Sequence, residues 1–175
     1  MDAFWFDERL AGLDFADAAL RLGLALICGM VVGIDRELRD KPAGLRTHML
    51  VSLAAASFTL ISFDFHARLI AQGNDNADPI RALEAVVAGV AFLGAGTIIQ
   101  SARKVRGVTT GAGMWMAGAI GVACGGGLFA IAILLTGAIF VVVTVLGIVE
   151  AQLERRRRGN GGKGAAVDTM ERDQR

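Results

Sequence analysis

Between Asp17 and Val149 the chain is a succession of five apolar runs of about 17 to 22 residues, each long enough to cross a hydrocarbon core as a helix. An unpaired backbone amide in lipid is so unfavourable that these runs have to close their own hydrogen bonds. The expected fold is therefore an all-α membrane protein, a polytopic bundle with spans at about 17–34, 45–63, 83–100, 108–124 and 128–149. A soluble domain of this length needs alternating or amphipathic patterning, which most of the chain lacks. The 23 glycines, against two prolines, suit helices whose backbones approach closely. Residues 1–153 are expected to form the membrane domain. Residues 154–175, Gly-rich and basic, are expected to be a disordered cytoplasmic tail.

The joints between the runs carry the orientation signal. The joint after the first span holds Arg36, Arg39, Lys41 and Arg46, and the joint after the third holds Arg103, Lys104 and Arg106. With the tail they give fourteen basic residues on one side, against Arg9, Arg68 and Arg81 on the other. The side richer in Lys and Arg stays in the cytoplasm, which predicts the N-terminus outside and the C-terminus inside. Residues 1–16 mix Phe4, Trp5, Phe6, Leu10, Leu13 and Phe15 with acids, a composition suited to the membrane interface. They carry no basic n-region, so a cleaved signal peptide is not expected.

The joint from Asp35 to Ser52 is the densest charged stretch. Asp35, Arg36 and Glu37 stand four residues before Arg39, Asp40 and Lys41, the spacing of ion pairs on a helix. Pro42 and Gly44 are expected to break that helix. Arg46, Thr47 and His48 then enter the second span, where His48, Ser52, Ala55, Thr59, Ser62 and His66 recur at steps of three and four. They form one polar or small stripe on an otherwise apolar helix, which should face other helices or a water-filled cavity. Two readings stand: a solvated turn that only fixes topology, or a functional turn of Asp35, Arg36, Glu37, Gly44, Arg46, Thr47, His48 and Ser52. In the second, Arg46 pairs with Asp35 or Glu37.

Glu84 enters the third span three residues after Arg81, either in an ion pair or as a carboxyl partly buried in the bundle. Gly29, Gly33, Gly94, Gly96, Gly113 and Gly121 are expected packing positions. Thr110, Gly113, Ala117, Gly121 and Cys124 share one face of the fourth span, which suggests the most central helix. The fifth span is uniformly apolar, as a lipid-facing helix should be.

Several functions are disfavoured. Orientation in a bilayer accounts for the basic residues, so no nucleic-acid partner is expected. Gly94-Ala-Gly96 lacks the third glycine and the preceding strand of a dinucleotide turn. Asn74, Asn76 and Asp78 alternate like calcium ligands, without the glycine and the terminal acid of such a loop. Cys28 and Cys124 lack metal-ligand spacing and read as small buried residues. No nucleophile is paired with a base, so neither an enzyme nor a cofactor or resident metal is expected.

Gly33-Ile-Asp-Arg-Glu-Leu-Arg and Ala43-Gly-Leu-Arg-Thr-His-Met-Leu-Val-Ser-Leu resemble the MgtC/SapB family of bacterial membrane proteins. So do Phe92-Leu-Gly-Ala-Gly-Thr-Ile, Val105-Arg-Gly-Val-Thr-Thr-Gly-Ala and Trp115-Met-Ala-Gly-Ala-Ile-Gly, in the same order. Ala91 stands where that family more often has Gly. Many members continue into a cytoplasmic domain resembling ACT folds, where this chain has a short tail. The resemblance implies a multi-pass protein of the bacterial inner membrane, linked to low magnesium and to survival inside host cells. It also implies a non-enzymatic regulator of a membrane partner, such as an ATP synthase or a cation ATPase. The alternative is a small oligomeric transporter or channel gated by Arg46, His48 and Glu84. The expected partners are the lipid bilayer, an integral membrane protein and further copies of this chain. For a regulator, the glycine faces around Gly29 and Gly113 are the expected contact surface.

Overall fold

The computed structural model describes residues 9–10, 13–73, 78–101, 104–145, 147–149 and 152. Most of the amphipathic segment 1–16, the Asn74 and Asn76 pattern, and the tail lie outside the described residues. Five helices are long and apolar enough to cross a membrane: α1 Phe15–Leu38, α2 Leu45–Ala71, α3 Pro79–Gly96, α4 Val108–Gly125 and α5 Phe129–Val149. Two short antiparallel pairs accompany them. β1 (Arg9–Leu10) and β2 (Leu13–Asp14) precede α1, and β3 (Ile99–Ser101) and β4 (Lys104–Arg106) lie between α3 and α4.

The helix ends differ from the expected spans for local reasons. At about 1.5 Å per residue, α2 is roughly 40 Å long, more than the hydrocarbon core requires. Its last turns, past Phe63, are held by the Asp64–Arg68 pair at 2.7 Å, so the fall in hydropathy there does not stop the helix. α3 begins early because Asp78 accepts from the Ile80 amide at 2.9 Å and Pro79 fits the first turn. It ends early because the chain turns into β3 and β4, where Ile99 lies opposite Arg106 and Ser101 opposite Lys104. Gln100 therefore sits in a strand, not at the end of a span. Gly107 closes this hairpin onto α4 at φ 89, and a Cβ there would collide with the Thr97 carbonyl, so only glycine fits.

α4 is the most enclosed helix. Eleven of its residues are buried, including Thr110, Gly113, Ala117, Gly121 and Cys124, and it packs against α1, α2 and α3. Glycine makes this possible. A Cβ on Gly121 would strike the Ser52 carbonyl, and one on Gly125 would lie 2.6 Å from that of Ala56. Gly94 of α3 and Gly111 of α4 meet backbone to backbone in the same way. On α1, a Cβ on Gly29 would lie 2.7 Å from the His48 carbonyl, and one on Gly33 would lie 2.7 Å from Leu45 Cα. Gly96 is the exception among the expected packing glycines, because nothing lies within 4 Å of its Cβ direction. It stands two positions after Gly94, which turns it about 200° around the helix and away from α4.

The chain divides into a unit ending at Phe140 and a second beginning at Val141. Within the first, α5 buries Ala132, Thr136 and Ile139 and leaves Ile131, Ile133 and Leu134 exposed. Of the second, the described residues are the exposed end of α5 and Gln152. Arg21 clasps the opposite end of the bundle from the charged turn. It pairs with Asp17 at 2.8 Å and donates to the Gly125 carbonyl at 2.9 Å, a cation at the C-terminus of α4. Both cysteines are buried with free thiols.

Candidate functional site

The charged turn is shorter and more ordered than its charge pattern suggests. α1 stops at Leu38, ahead of Pro42, because Asp40 takes a left-handed conformation at φ 51. The Lys41 amide reaches back to the Arg36 carbonyl at 3.0 Å and the Asp40 amide to that of Glu37 at 3.2 Å. These two bonds close the helix end as a Schellman turn. Only the first expected ion pair survives, Asp35 with Arg39 at 2.9 Å. Arg36 and Glu37 lose Asp40 and Lys41 because those residues no longer lie on the helix, and both find other partners.

Glu37 becomes the cap of α2. Its carboxylate accepts from the Leu45 amide at 3.0 Å, at a helix start where Gly44 supplies no side chain. A carboxylate there is favoured by the helix dipole as well as by the hydrogen bond. A Cβ on Gly44 would overlap the Glu37 carboxylate, so a side chain there would displace this cap.

Arg36 turns inward. It is 5% exposed and donates to Thr110 Oγ1 at 2.6 Å, tying the end of α1 to the start of α4. Its Nε has no partner among the described residues. Beside it, His48 is fully buried. Its Nδ1 lies 2.8 Å from the Gly44 carbonyl, and a carbonyl only accepts, so Nδ1 carries the proton. Nε2 is then directed at α4, where a Cβ on Gly113 would come within 3.2 Å of it. Ser52, one turn further along α2, is also fully buried, and its Oγ has no partner among the described residues. Arg36, His48, Ser52 and Thr110 thus bring one cation and three hydrogen-bonding groups together among α1, α2 and α4. Two of the four, Arg36 and His48, are ionisable, the kind of side chain that within a span faces protein or water, which makes this cluster the candidate site.

The remaining candidates lie elsewhere. Arg46 is exposed and makes neither of its expected pairs, since Asp35 holds Arg39 and Glu37 holds the Leu45 amide. Thr47 is half-buried beside it. Glu84 is exposed on α3, not buried in the bundle, and makes no ion pair with Arg81. The polar stripe of α2 divides. His48, Ser52, Ala55 and Thr59 are buried, and Thr59 bonds the Ala55 carbonyl at 2.8 Å. Ser62 and His66 instead line a groove of about 680 Å³ between α2 and α3. In the sequence Thr110 is one small residue of the α4 packing face. Its hydroxyl is half of the Arg36 contact, and no spacing in the sequence links positions 74 residues apart. Among the described residues no three His, Cys, Asp or Glu side chains gather as a metal site.

Comparison with known proteins settles the kinship. The MgtC family model matches residues 22–152. The chain belongs to the MgtC family. It is 35% identical to Protein MgtC of Brucella abortus over 157 residues, 89% of this chain and 63% of that protein. It is 37% identical to the putative magnesium transporter YhiD of Escherichia coli over 118 residues, 67% of this chain and 55% of that one. Protein SapB of Bacillus subtilis is 33% identical over 130 residues, 74% of this chain and 55% of SapB. The chain thus spans little more than half the length of YhiD and SapB. No solved structure matches it significantly. Kinship and the five apolar helices together make this a multi-pass membrane protein of the MgtC family.

Proposed function

We propose that this MgtC-family chain is a non-enzymatic regulator in the bacterial inner membrane, which acts in magnesium homeostasis by contact with an integral membrane partner. Glu84 carries the reading. It lies six residues into α3, about 8 Å along the helix axis from its start, exposed and without a partner among the described residues. Ionisable side chains within spans nearly always face protein or water, so an outward carboxylate calls for a neighbour that covers it. The face around it is also free. α3 buries only Val90 and Gly94 and leaves Val87 and Phe92 exposed.

The reading places the contact away from Gly29 and Gly113, because both already face α2 within the chain. The buried end of the polar stripe also argues against conduction through one copy. Beyond Ser52, the backbones of α2 and α4 touch at Gly121 and Gly125, which fills the column with protein. The name of the YhiD relative supports the second reading, an oligomeric magnesium transporter.

Both readings are separated by one pair of measurements. Purified chain in liposomes should pass no magnesium, and a photocrosslinker at position 84 should capture a membrane protein from native membranes. Glu84→Leu should lose that protein on co-purification while inserting normally. Sustained magnesium flux, or co-purification unchanged by Glu84→Leu, overturns the proposal.

A further inference from the structure

We propose that the groove between α2 and α3 is a binding site for one phospholipid with a zwitterionic, ammonium-bearing headgroup. The groove's walls come from two membrane-crossing helices, with Ala54, Phe58 and Ser62 on α2 and Ala82, Ala85 and Gly89 on α3. Its volume of about 680 Å³ lies within the range of pockets that enclose a ligand of moderate size. At one end Val51 of α2 and Val90 of α3 join a buried cluster with Met114 and Ala117 of α4, and the groove runs from there towards Asp78 and Pro79 at the start of α3. An apolar wall at this depth suits acyl chain, whose methylenes gain by burial against it.

The open end chooses the headgroup. α2 is longer than the hydrocarbon core requires, so its last turns reach headgroup depth. There the wall becomes polar, with His66, whose Nδ1 is buried without a partner among the described residues, and Asp78. Arg81 follows Asp78 by three residues, on the same side of the first turn of α3, exposed and unpaired among the described residues. Arg68 is already held by Asp64. Arg81 stands outside the lining, between Pro79 and Ala82 that belong to it, so the rim offers its cation to a phosphodiester and the Asp78 carboxylate to an ammonium. A zwitterionic phospholipid matches both charges, whereas phosphatidylglycerol matches only the first.

Gly89 supplies the test of the apolar part. It lines the groove, and nothing lies within 4 Å of its Cβ direction, so a side chain there starts in open space and takes up groove volume. The full chain is incorporated into nanodiscs of equal phosphatidylethanolamine and phosphatidylglycerol, extracted in mild detergent and weighed by native mass spectrometry. One phospholipid per chain is expected, with phosphatidylethanolamine in several-fold excess. Gly89→Phe should lose it. Asp78→Asn, which keeps an equally good helix cap, should abolish the preference between headgroups. Arg81→Gln, at an exposed position outside the packing, should lower retention of both lipids several-fold. Absence of retained lipid, retention unchanged in Arg81→Gln, or a dimer that Gly89→Phe converts to monomer overturns the proposal. The last outcome would give the groove to a second copy.

Discussion

At the scale of the residue, Arg36 and Arg46 make the sharpest contrast. Both belong to the same charged turn, ten positions apart, and their types alone do not distinguish them. Both are candidates for the functional turn, and Arg46 has two acids within reach in sequence. The structure separates them. Arg36 is buried and holds Thr110 across the bundle, while Arg46 is exposed and unpaired among the described residues. A hydrogen bond from a charged donor contributes about 1.5–3 kcal/mol when buried, whereas an exposed charge away from any partner usually changes stability by less than about 0.5 kcal/mol. Arg36→Ala is therefore expected to destabilise the folded bundle by about 2 kcal/mol and Arg46→Ala by almost nothing. Reversible unfolding of both variants in mixed detergent micelles measures the difference, and equal destabilisation would refute the assignment. The charges were legible in the sequence, but their facing was not. Which way Arg36 points follows from Asp40 ending the helix two residues before Pro42, and from α4 arriving beside it.

At the scale of the element, the glycines divide into those that let helices touch and those that do not. Gly29-x-x-x-Gly33 reads as a packing motif in the sequence, and it does bring α1 against the backbone of α2. Gly94-Ala-Gly96 reads just as well, yet only Gly94 meets α4. The difference is the two-position step, which is 200° around a helix and cannot place both residues on one face. Gly118 and Gly125, against Val90 and Ala56, were not singled out by the pattern because α4 is small on almost every side. A methyl added at Gly33 or Gly121 meets main chain, which has no rotamer to move, so the helices must separate. Overpacking of this kind costs about 1–3 kcal/mol, and a methyl in open space, as at Gly96, costs little. Gly33→Ala and Gly121→Ala should each lower the unfolding midpoint clearly, while Gly96→Ala leaves it unchanged or slightly raised. The same titration checks all three. A silent Gly121→Ala would mean that α2 and α4 are not in backbone contact. Span boundaries were less legible for a related reason. Hydropathy marks where lipid ends, whereas Asp78, Asp64–Arg68 and the β3–β4 turn decide where helices end.

At the scale of the whole molecule, apolar run length accounts for the five helices, because lipid leaves a long apolar segment no alternative to helix. The groove between α2 and α3 had no counterpart in the sequence. It depends on how far two helices diverge, and the stripe that ends in Ser62 and His66 gave no sign that it leaves the core midway. Orientation rests on a different force from packing. Basic residues resist translocation, and fourteen of them lie in the α1–α2 joint, the α3–α4 joint and the tail, with Arg9, Arg21, Arg68 and Arg81 on the opposite side. The fold is consistent with this bias without adding to it, since α1 ends and α2 begins at the same basic turn. Arg36 is the exception within the count, because it is buried against Thr110 and cannot act as a free charge in the finished protein. Removing it leaves thirteen against four, so Arg36→Ala should unsettle the bundle without turning it over. A cytoplasmically active reporter fused after Arg158 should therefore remain active in Arg36→Ala, and a periplasmically active one fused after Gly73 should remain active too. Both reporters silent in the unmutated chain would reverse the orientation. Silence only in the Arg36→Ala chain would show that this one buried cation sets topology as well as packing.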